Sequence, residues 1–185
     1  MTGNEAQNGG AIFVTRGSYS MENCLVSGNT ALVEGGALYA TSTDYAYAPC
    51  VTLNNCTIID NESAGGTGGA ISVTWNQTPY SSKPTCHLAN SILWANSTAQ
   101  IGGLIGTDTG IVSATNSCIQ GPFMPAGTGN ISVDPLLECG GWHLLLNSPC
   151  RNAGLNLDGM ETQTDLEGNP RILFGTVDIG AHELA

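Results

Sequence analysis

The residues able to do chemistry in this chain are few and scattered. Its 185 residues hold fifteen Asp and Glu, four Lys and Arg, three His and seven Cys. A zinc hydrolase of the H-E-x-x-H type sets two His one helical turn apart, and a serine hydrolase presents its nucleophile in a G-x-S-x-G turn. Neither pattern occurs, and His87, His143 and His182 lie far apart. A glycosidase needs carboxylates converging at fixed separation, yet Glu22 and Asp60 stand at different positions of their segments. Lys83 is the only lysine, Arg16 belongs to a turn, and Arg151 and Arg171 are expected to pair with acidic residues. The expectation is therefore a protein without a catalytic residue and without a resident cofactor. Calcium is the one ion with an echo in the sequence. Asn156-Leu-Asp158-Gly159 and Asp165-Leu-Glu167-Gly168-Asn169 partly resemble the alternating oxygen ligands of a calcium loop, which makes Asp158, Asp165 and Glu167 the candidate Ca2+ ligands. Asx turns account for the same residues.

The cysteines, at 24, 50, 56, 86, 118, 139 and 150, contain no C-x-x-C, which argues against a zinc site. Cys139 and Cys150 bracket Gly140, Gly141 and Trp142 and are expected to form a disulfide. Cys50 and Cys86 follow Pro49 and Pro84 ahead of equivalent segments and are a second candidate pair. Tyr45, Tyr47, Trp75 and Tyr80 sit in two inserts, 41–50 and 74–85. Aromatics on adjacent loops can stack on sugar rings or anchor a protein partner, or they can pack over the wall beneath them.

What must position all of these is a repeat. Gly9-Gly10-Ala11-Ile12 returns as Gly35-Gly36-Ala37-Leu38, as Gly68-Gly69-Ala70-Ile71, and more weakly as Gly102-Gly103-Leu104-Ile105. Between these lie Asn23-Cys24-Leu25-Val26-Ser27-Gly28-Asn29, Asn55-Cys56-Thr57-Ile58-Ile59-Asp60-Asn61 and Asn90-Ser91-Ile92-Leu93-Trp94-Ala95-Asn96. The segments are short, rich in β-branched residues and bounded by Gly and Asn, so they are strands. A unit of this size cannot bury its own apolar face, but stacked copies can. Copies running in one direction stack in parallel, about 4.8 Å apart. The fold expected is all-β: a right-handed parallel β-helix over residues 1–133, the hand following the default for parallel crossovers. Residues 134–185 lose the repeat and are expected to form an irregular C-terminal cap on the last coil.

In that geometry Asn29, Asn61 and Asn96 form one column, where Asn tolerates a left-handed turn and can bond to its neighbours above and below. Cys24 and Cys56 form another, either as small buried side chains or as a disulfide between coils. The paired glycines are read as corners that need positive φ and close backbone approach. Thr2-Gly3-Asn4-Glu5-Ala6 matches the second half of a coil, so the first coil is incomplete. Either a further coil precedes it or a second copy completes it, stacking head to tail into a filament.

Net charge is −11, so phosphate counterion release cannot drive binding, and nucleic acid is excluded as a partner. No apolar run reaches the ~20 residues of a membrane span. With 10% charged and 41% hydrophobic residues the chain is not disordered.

The Gly-Gly-Ala-Ile signature with its downstream Gly-Asn or Asp-Asn resembles the repeat of chlamydial polymorphic outer-membrane proteins. The second half, through Asn90–Asn96, Gly129–Leu136, His143–Gly154, Asp165–Arg171 and Val177–Glu183, resembles the C-terminal region of secreted bacterial β-helix proteins of the choice-of-anchor Q type. That pattern has Tyr where His182 stands. The resemblance implies a secreted or cell-surface bacterial β-helix protein; the role expected for it here is a structural, adhesin-like scaffold, with a glycan or a host or cell-surface protein as partner. The alternative is a carbohydrate-binding or carbohydrate-active module of lyase or glycosidase type.

Overall fold

The computed structural model describes residues 1–42, 47–75, 82–102, 109–122 and 124–184. Its strands are β1 (Glu5–Asn8), β2 (Ile12–Val14), β3 (Ser18–Glu22), β4 (Leu25–Ser27), β5 (Thr30–Glu34), β6 (Leu38–Ser42), β7 (Cys50–Asn54) and β8 (Thr57–Ile59). They continue as β9 (Glu62–Ser63), β10 (Ile71–Trp75), β11 (Thr85–Ala89), β12 (Ile92–Trp94), β13 (Ile101–Gly102), β14 (Ile111–Thr115) and β15 (Cys118–Ile119). Each returns to the sheet of its counterpart in the previous coil, giving four parallel sheets ordered β1-β5-β9, β2-β6-β10-β13, β3-β7-β11-β14 and β4-β8-β12-β15. This is a parallel β-helix.

Because the strands of the three four-stranded sheets pair without slip, columns in the sequence become columns in space; only β1 shifts register against β5, between Ala6 and Asn8, among the described strands. Ile12, Leu38, Ile71 and Ile101 stack in register, as do Val14, Ala40 and Val73. Met21, Leu53, Leu88 and Ala114 line the next sheet, and Val26, Ile58, Leu93 and Ile119 the last. All of these belong to one buried cluster running the length of the coils. Burying each large aliphatic contributes roughly 1.5–3 kcal/mol.

Both glycines of the repeated pair are required, for different reasons. Gly35 has φ +67°, a conformation in which a side chain is strained. At Gly36 a Cβ would lie 2.1 Å from the carbonyl oxygen of Gly69 in the next coil. At the other corners the left-handed residues are Gly28, Asp60 and Ala95, each one position before the ladder asparagine, so the ladder asparagines themselves do not carry the left-handed turn. A second left-handed column, Asn23, Asn55, Asn90 and Asn116 (φ 44–51°), opens the strands β4, β8, β12 and β15.

Residues 134–184 form an irregular flank holding one 3-10 turn, Met160–Thr162. They do not sit on the last coil alone. Leu144, Cys150 and Ile179 pack on Leu25, Ile59, Ile92 and Cys118, the outward residues of β4, β8, β12 and β15, in a second buried cluster. Hydrogen bonds follow the same track, from Asn23 Nδ2 to Thr164 O (2.9 Å), Ala181 N to Thr57 Oγ1 (3.0 Å) and Gly180 N to Asn90 O (2.8 Å). The flank therefore runs along a side wall and touches all four successive coils. The physical reason is in the strands: β8 reads Thr-Ile-Ile and β12 Ile-Leu-Trp, apolar on both faces, so the outer face also needs covering.

Candidate functional site

The buried Asn ladder is continuous. Asn4 Nδ2 donates to Asn29 Oδ1, Asn29 Nδ2 to Asn61 Oδ1, and Asn61 Nδ2 to Asn96 Oδ1, each over 2.8 Å. Asn96 passes the chain to Gln100 Oε1 over 2.6 Å. This is a spine of fixed dipoles inside the corner, with no face open to a ligand along Asn29 and Asn61, which are buried. Where it ends, a groove of about 580 Å³ opens, lined by Thr67, Thr98, Gln100, Ile101, Ile119 and Gln120 among others.

Of the aromatic candidates, Tyr45 and Tyr80 lie outside the described residues. Tyr47 is 74% exposed. Trp75 ends β10 with Lys83 Nζ 4.8 Å above its ring. A different aromatic pair was not legible in the inserts. Phe13 and Tyr39 stack with centroids 5.4 Å apart on the outside of β2 and β6, and Phe13 is exposed. Their shared position in the repeat, two residues after the glycine-alanine step, was the available signal.

All seven cysteines are free thiols, so the expected Cys139–Cys150 and Cys50–Cys86 disulfides are not formed. Cys139 is exposed whereas Cys150 is buried beneath the flank. Cys86 pairs in register with Val51 and Cys50 with Thr85, an offset of one residue that sends the two side chains to opposite faces. Burial pushes the Cys86 thiol up to about 12. The thiols that do meet are Cys24 with Cys56 and Cys118 with Cys150. The hydrogen bond from Cys56 pulls Cys24 down to about 6, and the hydrogen bond with Cys118 pushes Cys150 well up.

The calcium candidates do not assemble. Asp158 lines a pocket of about 50 Å³ with Glu22, Asn54 and Asn55. Asp165 is already saturated: it accepts from the N–H groups of Glu167 (2.9 Å), Asn169 (2.8 Å) and Glu183 (3.0 Å) and from Asn169 Nδ2 (3.1 Å). Burial alone would push its carboxyl up, but these bonds together hold it below its ordinary value. It is the hub of an Asx turn.

Glu167, the remaining candidate, meets two histidines that the sequence separates widely. Its Oε1 is 2.9 Å from His143 Nε2, and its Oε2 is 3.8 Å from His182 Nδ1. Glu138 Oε2 stands 3.5 Å from His143 Nδ1. The imidazole centroids are 4.6 Å apart, and Trp142 stacks on His182 at 6.2 Å. Three short pieces of the flank place these groups. Glu138 and His143 face each other across the Leu137–Leu144 bridge, where Glu138 N donates to His143 O over 2.9 Å. Glu167 lies inside the Asp165 turn, and His182 is held between Ala181 and Glu183, whose amides bond Thr57 and Asp165. Burial pushes His182 below its ordinary pKa, with His143 adding to the shift.

Arg171, fully buried, anchors the same region. Its Nη2 donates to Asp178 O (3.2 Å), Gly180 O (3.1 Å) and Glu183 Oε1 (3.0 Å). The expected pairing of Arg171 with an acidic residue is thus with Glu183, while Arg151 lies 5.5 Å from the Phe174 ring.

Residues 23–41 match the Chlamydia polymorphic membrane protein (Chlamydia_PMP) repeat. They run from the left-handed Asn23 through the ladder Asn29 and the Gly35-Gly36 corner into β6, one repeat's worth of the features above. No curated protein and no solved structure matches the chain. Among the described residues no helix is long and apolar enough to cross a membrane. The matched repeat and the stacked parallel strands together mark a β-helix repeat protein, and the repeat suggests, at a coarse level, a bacterial surface or outer-membrane location.

Proposed function

We propose that the chain is part of a secreted or surface-exposed bacterial β-helix that serves as a structural and adhesive scaffold. The observation that carries this reading is the outer wall of β3, β7, β11 and β14. There Ser20, Thr52, His87 and Ser113 stack in register beside Glu22, Asn54, Ala89 and Thr115, a mostly polar face with a hydroxyl or amide in each coil but the third. Such a wall holds its shape over successive coils and presents repeated hydroxyls to a neighbouring surface. Stacking of copies through the strand edges of β2, β3 and β4 belongs to the same reading, since each ends its sheet.

Beads coated with the purified chain should adhere to host-cell or bacterial-cell monolayers above beads carrying an unrelated β-protein. Light scattering should show mass rising with concentration. Adhesion equal to the control on every surface would remove the adhesive role, and a strictly monomeric species would remove the stacking. The second reading, a carbohydrate-binding module, is favoured by the groove lined by Gln100, Ile101, Ile119 and the exposed Gln120. Saturable binding on a glycan panel, weakened by Gln120→Ala, would select it.

A further inference from the structure

We propose that His143, His182 and Glu167 form a binding site for one divalent transition-metal ion of borderline softness, with Zn2+ the first choice. Two imidazoles and one carboxylate are the donor set such ions take, and three protein ligands leave a fourth position for water. The three ligand atoms lie within 4.8 Å of one another. Around a tetrahedral zinc with bonds near 2.1 Å, ligands stand about 3.4 Å apart, so closing the site takes about an ångström of side-chain rotation. His143 and Glu167 can supply it between them, because their side chains are 35% and 50% exposed while the Glu167 backbone is pinned by Asp165.

The observation that points to a ligand is His182. It is 4% exposed, and neither ring nitrogen has a hydrogen-bond partner among the described residues. A buried imidazole without a partner is costly, yet its neighbours on both sides are held in place by Thr57 and Asp165. A metal ion at Nδ1, shared with Glu167, gives that ring the partner it otherwise lacks. The surroundings match what ligating histidines require. In the metal-free chain His143 Nε2–H donates to Glu167 Oε1 over 2.9 Å; the ion would displace that proton, and Glu138, 3.5 Å from Nδ1, stands where it can accept the N–H of the other tautomer. Trp142 stacked on His182 shields that side from water. The ion would tie the 137–144 hairpin, the 165–169 turn and the closing 177–184 segment into one unit.

The test uses the full chain with its affinity tag removed, stripped with a chelator and desalted. Titration calorimetry with Zn2+ should show saturable one-to-one binding. Co2+ should give the visible d–d bands of a four-coordinate site. His143→Gln, at a half-exposed position that the fold tolerates, should weaken binding at least tenfold, and His182→Gln likewise. Glu138→Gln should cost about 10–100-fold by loosening His143, and Cys139→Ser should change nothing. Absence of saturable Zn2+ binding by the wild-type chain would overturn the proposal. So would binding that survives His143→Gln but disappears in Cys139→Ser, which would give the ion to a thiol.

Discussion

Replacing Asn61 by alanine isolates the corner ladder. The Asn61 side chain is buried and makes five hydrogen bonds: Nδ2 donates to Val26 O (3.0 Å), Ile59 O (2.9 Å) and Asn96 Oδ1 (2.8 Å), while Oδ1 accepts from Asn29 N (3.0 Å) and Asn29 Nδ2 (2.8 Å). Some partners keep an alternative. Asn29 Nδ2 still reaches Ser27 O and Met1 O, and Ile59 O still accepts from Gly28 N. Asn96 Oδ1 keeps the backbone N–H of residue 61 (2.9 Å), which alanine retains, and Val26 O keeps its place in the β4–β8 ladder, so the Asn29 N–H is the group left without a partner where water cannot follow. With about 1–2 kcal/mol for that orphaned amide and about 1 kcal/mol more for the remaining side-chain bonds, Asn61→Ala should destabilise by about 3 kcal/mol. For a chain of this length that is a fall in Tm of about 10 °C. Asn4→Ala is the control at the exposed end, where Asn4 Nδ2 bonds Asn29 Oδ1 and Thr2 O near solvent. It should cost about 1 kcal/mol or less. Asn61→Asp should be at least as damaging as alanine, since a carboxylate can accept from Asn29 but cannot donate to the three oxygens. Urea and thermal unfolding followed by far-UV circular dichroism measure all three. If Asn61→Ala and Asn4→Ala agree to within about 0.5 kcal/mol, the ladder does not hold the coils and the reasoning fails.

Gly36→Ala should lower stability by more than about 3 kcal/mol, because its Cβ would lie 2.1 Å from Gly69 O and 2.8 Å from Glu62 backbone atoms. Gly28→Ala, at φ +61° with nothing within 4 Å, should cost only about 1 kcal/mol, which the same unfolding curves check. Alkylation of Cys24 should gain rate as pH rises to about 6 and then level off, because its thiolate already dominates above that value. Cys56→Ala removes the donor and should move the rise toward the ordinary thiol range, near 8.5, as peptide mapping after iodoacetamide pulses at graded pH would show. Mild oxidation with diamide, which takes up the two protons and two electrons released, should join Cys118 to Cys150 before Cys139 to any partner. A mapped Cys139–Cys150 bond would contradict the thiol contacts described above.

The coils were legible because parallel in-register stacking turns a repeat in the sequence into a column in space. Gly9, Gly35 and Gly68 are corners, and Val26, Ile58 and Leu93 are core, for the same reason that they recur: each coil meets the next with the same residues. One assignment failed within this logic. The left-handed turn falls on Gly28, Asp60 and Ala95 rather than on the ladder asparagines, whose side chains are occupied in binding the adjacent coils.

Residues 134–184 have no such translation. Cys139 and Cys150 are close in sequence, but chain proximity does not decide direction, and Cys150 turns inward to Cys118 beneath the flank. His143, Glu167 and His182 lie on three non-repeating pieces, and they converge only because those pieces dock on the outer face of β4, β8, β12 and β15 through Thr57, Asn90 and Ile92. The amino-acid sequence by itself determined the β-helix, its corners and its core columns, since short-period repetition makes every coil an environment for the next. Tertiary structure alone decided where the flank lies, which thiols meet, and that two distant imidazoles share one carboxylate. Those contacts span from tens of residues to more than a hundred and repeat nowhere, so no local spacing encodes them.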